Sequence, residues 1–333
     1  MIRGGSDASF RAVISPVRGD VHRPMWSVMI PSFNCGEYIE QALRGVLAQD
    51  PGPDQMQIEV VDDASTSGDI EAIVRRAGGE RVSFFRQPRN LGHIKNFETC
   101  LNRSRGRIVH LLHGDDFVAP KFYSSLQRGF ERDPEIGAAF CRHAFVNAEG
   151  RILSIPEPEQ GEAGRLEGAL ERLSEQQRIM TPSIVVRRDV YERLGGFDSR
   201  LICSEDWEMW VRIAAHYPVW YEPQPLASYR MHSNSNSGRH ARFAEELEYT
   251  RQAIDIFSGY LPSQLRKAAR RARQTYAASA LAGAERMLRA SDQEAANAHL
   301  KTALRLSRSP RILGRTGQIL LMRLFAGKGR HAS

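Results

Sequence analysis

Short apolar runs halted by proline or acidic residues alternate with amphipathic stretches over the first two thirds of the chain. Residues 26–31 form one such run, stopped at Pro31, which is the pattern of a buried strand. Residues 37–48 place Ile39, Ala42, Leu43, Val46 and Leu47 at i, i+3, i+4, i+7 and i+8, a single helical face. Further strands are predicted at 58–61, 82–85 and 107–112, with helices at 70–77 and 96–103. Such alternation predicts an α/β fold built on a mainly parallel sheet flanked by helices. Beyond it, 137–146 and 151–155 read as a hairpin turning at 147–150 and 183–187 as a strand. Residues 189–194 read as a short helix closed by Gly195-Gly196. Residues 206–216 read as an amphipathic helix with Trp207, Trp210, Val211 and Ala214 on one side. From about Phe243 the pattern changes to long helices rich in Ala, Leu and Arg, broken at Pro262 and Pro310. The expected organisation is a loose arm over 1–24, an α/β domain over 25–240 and a basic helical region over 241–333.

In parallel α/β sheets ligands bind at the carboxyl ends of the strands. The residues in that position here are Ser32-Phe33-Asn34, Asp62-Asp63 and His113-Gly114-Asp115-Asp116. Carboxylates are hard ligands for Mg²⁺ or Mn²⁺ and accept hydrogen bonds from sugar hydroxyls or base N–H groups. Singly, an aspartate after a strand is most often a turn or helix cap. Two acidic pairs at successive strand ends point instead to a site for a cation or a hydroxyl-rich ligand.

Composition narrows the class. The 333 residues are 41% hydrophobic and 26% charged, which excludes a mainly disordered chain. No apolar run reaches the roughly 18 residues of a membrane span, and residues 1–24 lack an apolar stretch like that of a signal peptide. A cytoplasmic location is therefore expected. Cys35, Cys100, Cys141 and Cys203 lack metal-site spacing and read as free thiols. The net charge of +7 is unevenly placed: residues 239–333 carry 18 Lys and Arg against 7 Asp and Glu, whereas 1–238 carry 28 against 32. Residues 311–330 alternate basic and apolar side chains like a surface helix resting either on anionic lipid or on the protein itself. Without aromatic interleaving or a recognition motif, the charge does not indicate a nucleic-acid binder.

Seven segments together are specific: Pro31-Ser32-Phe33-Asn34 with Glu37-Tyr38-Ile39; Val60 to Thr66 with Asp62-Asp63; Asn90-Leu91-Gly92; Asn96; Gly114-Asp115-Asp116; Ser204-Glu205-Asp206-Trp207; and Tyr229-Arg230-Met231-His232. In this order they resemble the family 2 glycosyltransferases of GT-A fold, over about residues 25–238. The resemblance implies an inverting transferase that moves a sugar from a nucleotide-diphosphate donor (UDP-, GDP- or dTDP-linked) to a glycan or lipid-linked hydroxyl acceptor. It implies a nucleotide pocket formed by Pro31, Phe33, Asn34, Glu37, Asp63, Asn90, Gly92, Asn96, Gly114 and Asp115, with Asp63 accepting from the base or ribose. A divalent cation, Mg²⁺ or Mn²⁺, would be held by Asp115, Asp116 and His232, although His113 stands where the family's Asp-x-Asp motif has its first acid. Arg230 and His232 would close over the diphosphate, and residues 233–238 would form a flap. Asp206 would be the general base, at a helix start capped by Ser204, and 181–183 and 195–198 would edge the acceptor pocket. Polysaccharide or lipopolysaccharide assembly at the inner membrane face is the expected setting. The alternatives are a catalytically degenerate scaffold with an interaction tail and, against the absence of a glycine-rich phosphate loop, a nucleotidyltransferase.

Overall fold

The computed structural model describes residues 7–232, 240 and 242–328 and resolves two compact units, Met1–Leu173 with Gln177–His232, and Ser174–Gln176 with Ser233–Ser333. The flap assigned to 233–238 lies outside the described residues.

The first unit is built around β1 (Trp26–Ser32), in which every residue is buried. A strand covered on both faces reads as an unbroken apolar run, which makes it visible in the sequence. It pairs in parallel with β2 (Met56–Asp62), setting Ser32 opposite Asp62, and with β4 (Ile108–Leu111), setting Met29 opposite Leu111. β3 (Ser83–Arg86) extends the parallel set beyond β2. On the other side β9 (Ile184–Arg187) runs antiparallel between β4 and β6 (Ala138–Val146), and β10 (Val219–Arg230) returns parallel to β6. Two-residue β5 (Phe117–Val118) is antiparallel to β10, giving the order β3-β2-β1-β4-β9-β6-β10-β5. The expected hairpin is present as β6 with β7 (Ile152–Ser154), and β8 (Gly164–Arg165) pairs with β10.

Helices α1 (Ile39–Leu47), α2 (Ile70–Gly78), α3 (His93–Arg103) and α4 (Phe122–Arg132) flank this sheet. Trp26, Val28, Ile30, Ile39, Leu43, Val46, Ile58, Val60, Phe122 and Leu126 share one core. Because β1, β2 and β4 are parallel, their carboxyl ends open on one edge. That edge carries Phe33-Asn34, Asp63 and residues 113–116.

Four features differ from the sequence pattern. β10 is masked there because Pro223 and Pro225 interrupt it; the strand absorbs them in register shifts between Glu222 and Ala227. Helix α4 is a second element that the pattern does not announce. α5 (Ala169–Glu175) and α6 (Arg188–Leu194) precede α7 (Glu205–His216), which is buried nearly all round rather than on one side. Its interior charges are matched: Arg212 donates to Glu208 at 3.0 Å and to the carbonyls of Leu194 and Gly196 at 2.6 and 2.9 Å. Finally, the segment expected to be a loose arm is docked over residues 10–15. Gly196 N–H donates to the Ala12 carbonyl at 2.8 Å, Ser199 N–H to Phe10 at 2.9 Å, Ile14 is buried, and Arg11 reaches Glu208 at 3.2 Å and Asp198 at 3.9 Å. One apolar residue and two long-range ion pairs leave no periodicity for a sequence reading to detect.

The second unit contains α8 (Glu245–Tyr260), α9 (Arg266–Arg289), α10 (Gln293–Leu306) and α11 (Pro310–Lys328). Small residues let α9 and α10 approach closely: Ala277, Ala280 and Ala284 on one, Ala295, Ala296 and Ala303 on the other, are all buried. At Gly283 a methyl group would sit 2.3 Å from the His299 ring. Asp292 caps α10 by accepting from Ala295 N–H. Among the described residues, no helix is long and apolar enough to cross a membrane.

Candidate functional site

The edge begins with a braced floor. Asn34 adopts φ +54°, and its amide oxygen accepts from the backbone N–H groups of Thr66 and Ser67 at 2.8 and 3.0 Å. Asp62 is fully buried; Ser65 N–H donates to it at 3.0 Å, the Ser65 hydroxyl donates to its other oxygen, and Arg86 lies 3.5 Å away. Asp63 accepts from Leu91 and Gly92 N–H at 2.8 and 2.9 Å, which pins the 90–92 loop. Burial raises the Asp63 carboxyl, and the two amides only partly offset this.

Three residues expected in the nucleotide pocket are built into this floor. Asp63 is 2% exposed and each of its oxygens accepts one backbone N–H, so it braces the 90–92 loop. Asn96 is buried, donating to the Val61 carbonyl at 2.8 Å and accepting from Gln87. Gly114 is a packing position: its N–H donates to the Pro31 carbonyl, and a methyl there would lie 2.5 Å from Cys35 Sγ. Pro31 is buried in β1, whereas Phe33, Asn34, Glu37, Asn90 and Leu91 are exposed at the rim and Gly92 is half-buried. Gly92, at φ +84°, starts α3 in a conformation that favours glycine.

Beside this floor stands a cluster with open valence. Ligand atoms of His113, Asp115 and Asp116 all lie within 4.8 Å of one another. One Asp116 oxygen accepts from Arg230 N–H at 2.8 Å, but the other is buried without a hydrogen-bond partner, as is His113 Nε2. Burial and the neighbouring Asp115 charge push Asp116 well above the usual carboxylate range. Burial would raise Asp115 too, but a 3.0 Å hydrogen bond with His232 and the nearby His113 more than offset it and leave it low. His113 is depressed by burial against the opposing pull of Asp115 and Glu205, which favours the neutral imidazole that can ligate. The donor set of one imidazole and two carboxylates, with His113 Nδ1 3.9 Å from the Asp116 oxygen that lacks a hydrogen bond, fits a divalent cation. His232 joins the cluster through Asp115 and packs against Tyr38 at a tilt of 49°, ring centroids 5.1 Å apart.

Arg230 departs from the phosphate-closing expectation. It is buried at 2% exposure, and its guanidinium donates to the carbonyls of Asp115 at 2.7 Å, Asn147 at 3.2 Å and Ala148 at 2.5 Å, and to Gln41 at 2.7 Å. It also lies 4.5 Å from the Tyr38 ring centroid. With its fork filled by backbone oxygens, Arg230 is a strut for the Asp115 turn rather than a clamp on phosphate.

A third acidic pair, Glu205-Asp206, lies at the start of α7. Ser204 adopts φ +64° and its side chain does not cap the helix, contrary to the capping expectation. Asp206 is half-buried and accepts from Gln177 at 3.0 and 2.9 Å, Thr181 at 3.2 Å and Trp207 N–H at 2.7 Å. Burial, followed by the charge of Glu205, pushes Asp206 up to about 7. Glu205 instead faces His93 at 3.4 Å, and that pairing outweighs burial to keep it below the usual range. Phe97 bridges the two halves, its ring 5.0 Å from that of His113 and 5.5 Å from that of His93. Sequence reasoning misses His93 and Gln177, and meets His113 and Tyr38 only as members of motifs, without the contacts they make here. Only His93 has a local signal, as the first residue after the Gly92 turn.

Comparison with known proteins bears on this arrangement. The model of Glycosyl transferase family 2 matches residues 27–195, and that of Glycosyltransferase like family 2 matches 171–261. An uncharacterized protein of Mycobacterium tuberculosis is 29% identical over 238 residues, spanning 68% of this chain and 72% of its own. An uncharacterized glycosyltransferase of Methanocaldococcus jannaschii is 25% identical over 221 residues, spanning 66% and 74%. Among solved structures, S. aureus TarS in complex with UDP-GlcNAc has a TM-score of 0.57 at 14% identity, covering 81% of this chain and 89% of that one. The mannosyltransferase PcManGT from Pyrobaculum calidifontis, in complex with GDP-Man and Mn²⁺, has a TM-score of 0.57 at 21% identity, covering 93% and 83%. At these identities the structural likeness is one of fold.

Proposed function

This chain belongs to glycosyl transferase family 2, and on that premise we propose that it transfers a sugar from a nucleoside-diphosphate donor to a hydroxyl acceptor with inversion at the anomeric carbon. The fold is GT-A, and the two solved neighbours named above are complexes with UDP-GlcNAc and GDP-Man. One observation carries the reading: two carboxylates, in clusters joined through the Phe97 ring contacts with His113 and His93, are tuned in opposite directions, Asp115 held low and Asp206 raised to about 7. Opposed tuning of this kind separates an anionic ligand from a proton acceptor.

His113, Asp115 and Asp116 would hold a divalent cation, with His232 orienting Asp115. When bound, the cation supplies Lewis-acid stabilisation of charge on the departing diphosphate. Asp206 takes the proton of the acceptor hydroxyl as its oxygen bonds to the anomeric carbon, while the bond from that carbon to the diphosphate oxygen breaks on the opposite face. A single displacement inverts the centre, by the stereochemical logic of inverting glycosidases. Gln177 and Thr181 fix the Asp206 carboxylate, and His93 keeps Glu205 ionised beside it, which raises Asp206 toward the range useful for a base at neutral pH. Phe33, Asn34, Glu37 and Asn90 rim the floor where a nucleoside would lie, with Asp63, Asn96 and Gly114 supporting it from behind. The acceptor class we propose is a glycan or lipid-linked glycan, as in polysaccharide or lipopolysaccharide assembly.

Titration calorimetry with UDP, GDP, dTDP and CDP, each with and without Mn²⁺, tests the reading. Metal-dependent binding of one nucleotide, lost in Asp115→Ala and kept in Asp206→Asn, is the expected result. Failure of all four to bind with either metal condition would overturn it in favour of a degenerate scaffold.

A further inference from the structure

We infer that the outer face of α11 docks onto a membrane surface bearing anionic lipid, independently of the reaction proposed above. The helix buries one side: Ile312, Thr316 and Ile319 are all but inaccessible, and Arg315 and Arg323 reach Glu285 of α9 and Asn297 of α10 at 2.5 and 2.7 Å. A flanking side is apolar and open. Leu313, Leu320 and Leu321 are 49%, 43% and 56% exposed, and with Gly317 they follow i, i+4, i+7 and i+8, one continuous stripe.

Charge selects the occupant. The helix carries Arg311, Arg315, Arg323 and Lys328 and no Asp or Glu, within a region of 18 basic and 7 acidic residues. An apolar stripe on a helix without acids, in a region of net basic charge, matches an interface of acyl chains beneath anionic headgroups. A second copy of the same face would set these cations against one another. The 233–238 segment, Ser and Asn with one Gly, has no apolar side chain with which to cover the stripe.

The test is co-sedimentation of the full chain with extruded vesicles of phosphatidylcholine alone or with about 30 mol% phosphatidylglycerol, at about 0.1 M salt. At least about fivefold stronger association with the anionic vesicles is expected, falling steeply at about 0.5 M salt. Leu320→Ser with Leu321→Ser leaves the buried face intact and should weaken association about tenfold. Arg311→Gln, a milder change, should weaken it about fivefold. Equal, salt-insensitive association with both vesicles would overturn the inference, as would a leucine variant that binds like the parent. So would a parent that ignores vesicles yet sediments as a dimer that the leucine variant converts to monomer, which would assign the stripe to a second copy.

Discussion

Asp62-Asp63 and Asp115-Asp116 look alike in the sequence, each an acidic pair after a buried parallel strand, yet the structure gives them opposite work. Asp62 and Asp63 have their oxygens taken by Ser65, Leu91 and Gly92, and they lock two loops to the sheet. Asp116 keeps a buried oxygen without a partner, and Asp115 is shared between His232 and the space beside His113. The two pairs differ in the chain immediately after them. Asp62-Asp63 runs into Ala64 at φ +56° and then the Ser65–Ser67 turn, whose donors fold back on the carboxylates. Asp115-Asp116 runs straight into β5, and the Arg230 fork that could have neutralised it is spent on carbonyls. Local donor supply, and not the acidic motif, separates a brace from a reactive group.

The sharpest way to break this comparison is Asp115→Asn, expected to lower kcat/KM about 10²- to 10³-fold with little change in Tm and to abolish the thermal shift given by Mn²⁺. A Tm collapse with activity retained in the surviving fold would make the second pair a brace like the first. Next in size is the pH response set by Asp206. Transfer should fall about tenfold per unit below an apparent pKa near 7, followed as kcat/KM from pH 5 to 9. Stability runs the other way. Folded Asp206 holds its proton up to about 7 against an ordinary 3.8, so the folded state binds more protons between those values and loses stability as pH rises through them. Asp206→Asn should therefore raise stability at pH 8 by roughly 1–3 kcal/mol in denaturant titrations, while nearly abolishing turnover. Asp62→Ala tests the brace directly: it should cost roughly 2–3 kcal/mol of stability and leave the folded fraction active within a few-fold. Smallest is His113→Asp, which restores an all-oxygen donor set and should shift the Mn²⁺ over Mg²⁺ preference toward Mg²⁺ by about tenfold, read from metal titrations by calorimetry.

Much of the sheet is legible in the sequence because its strands are buried on both faces and its crossover helices are amphipathic. The pairing of strand ends with short polar segments then locates the edge of the site. Contacts made across long separations cannot be read this way. Arg230 beside His232 looks like a phosphate ligand in sequence; only the fold shows carbonyls from Asp115, Asn147 and Ala148 converging on it. His93 and Glu205 stand far apart in the chain and are joined by the sheet edge. Helix α7 looks amphipathic because Glu208 and Arg212 are charged, and the sequence does not reveal that they neutralise each other inside. β10 is hidden by its two prolines.

The docking of residues 10–15 has a consequence for how the protein comes into being. Arg11 and the main chain around it close onto residues 196–208, so they must wait for almost two hundred further residues before finding their partners. Loops of that span are entropically slow to close. The helix that presents Asp206 is thus fastened late, and a fusion or extension placed ahead of Phe10 should be felt first as slow maturation of the enzyme rather than as loss of the sheet.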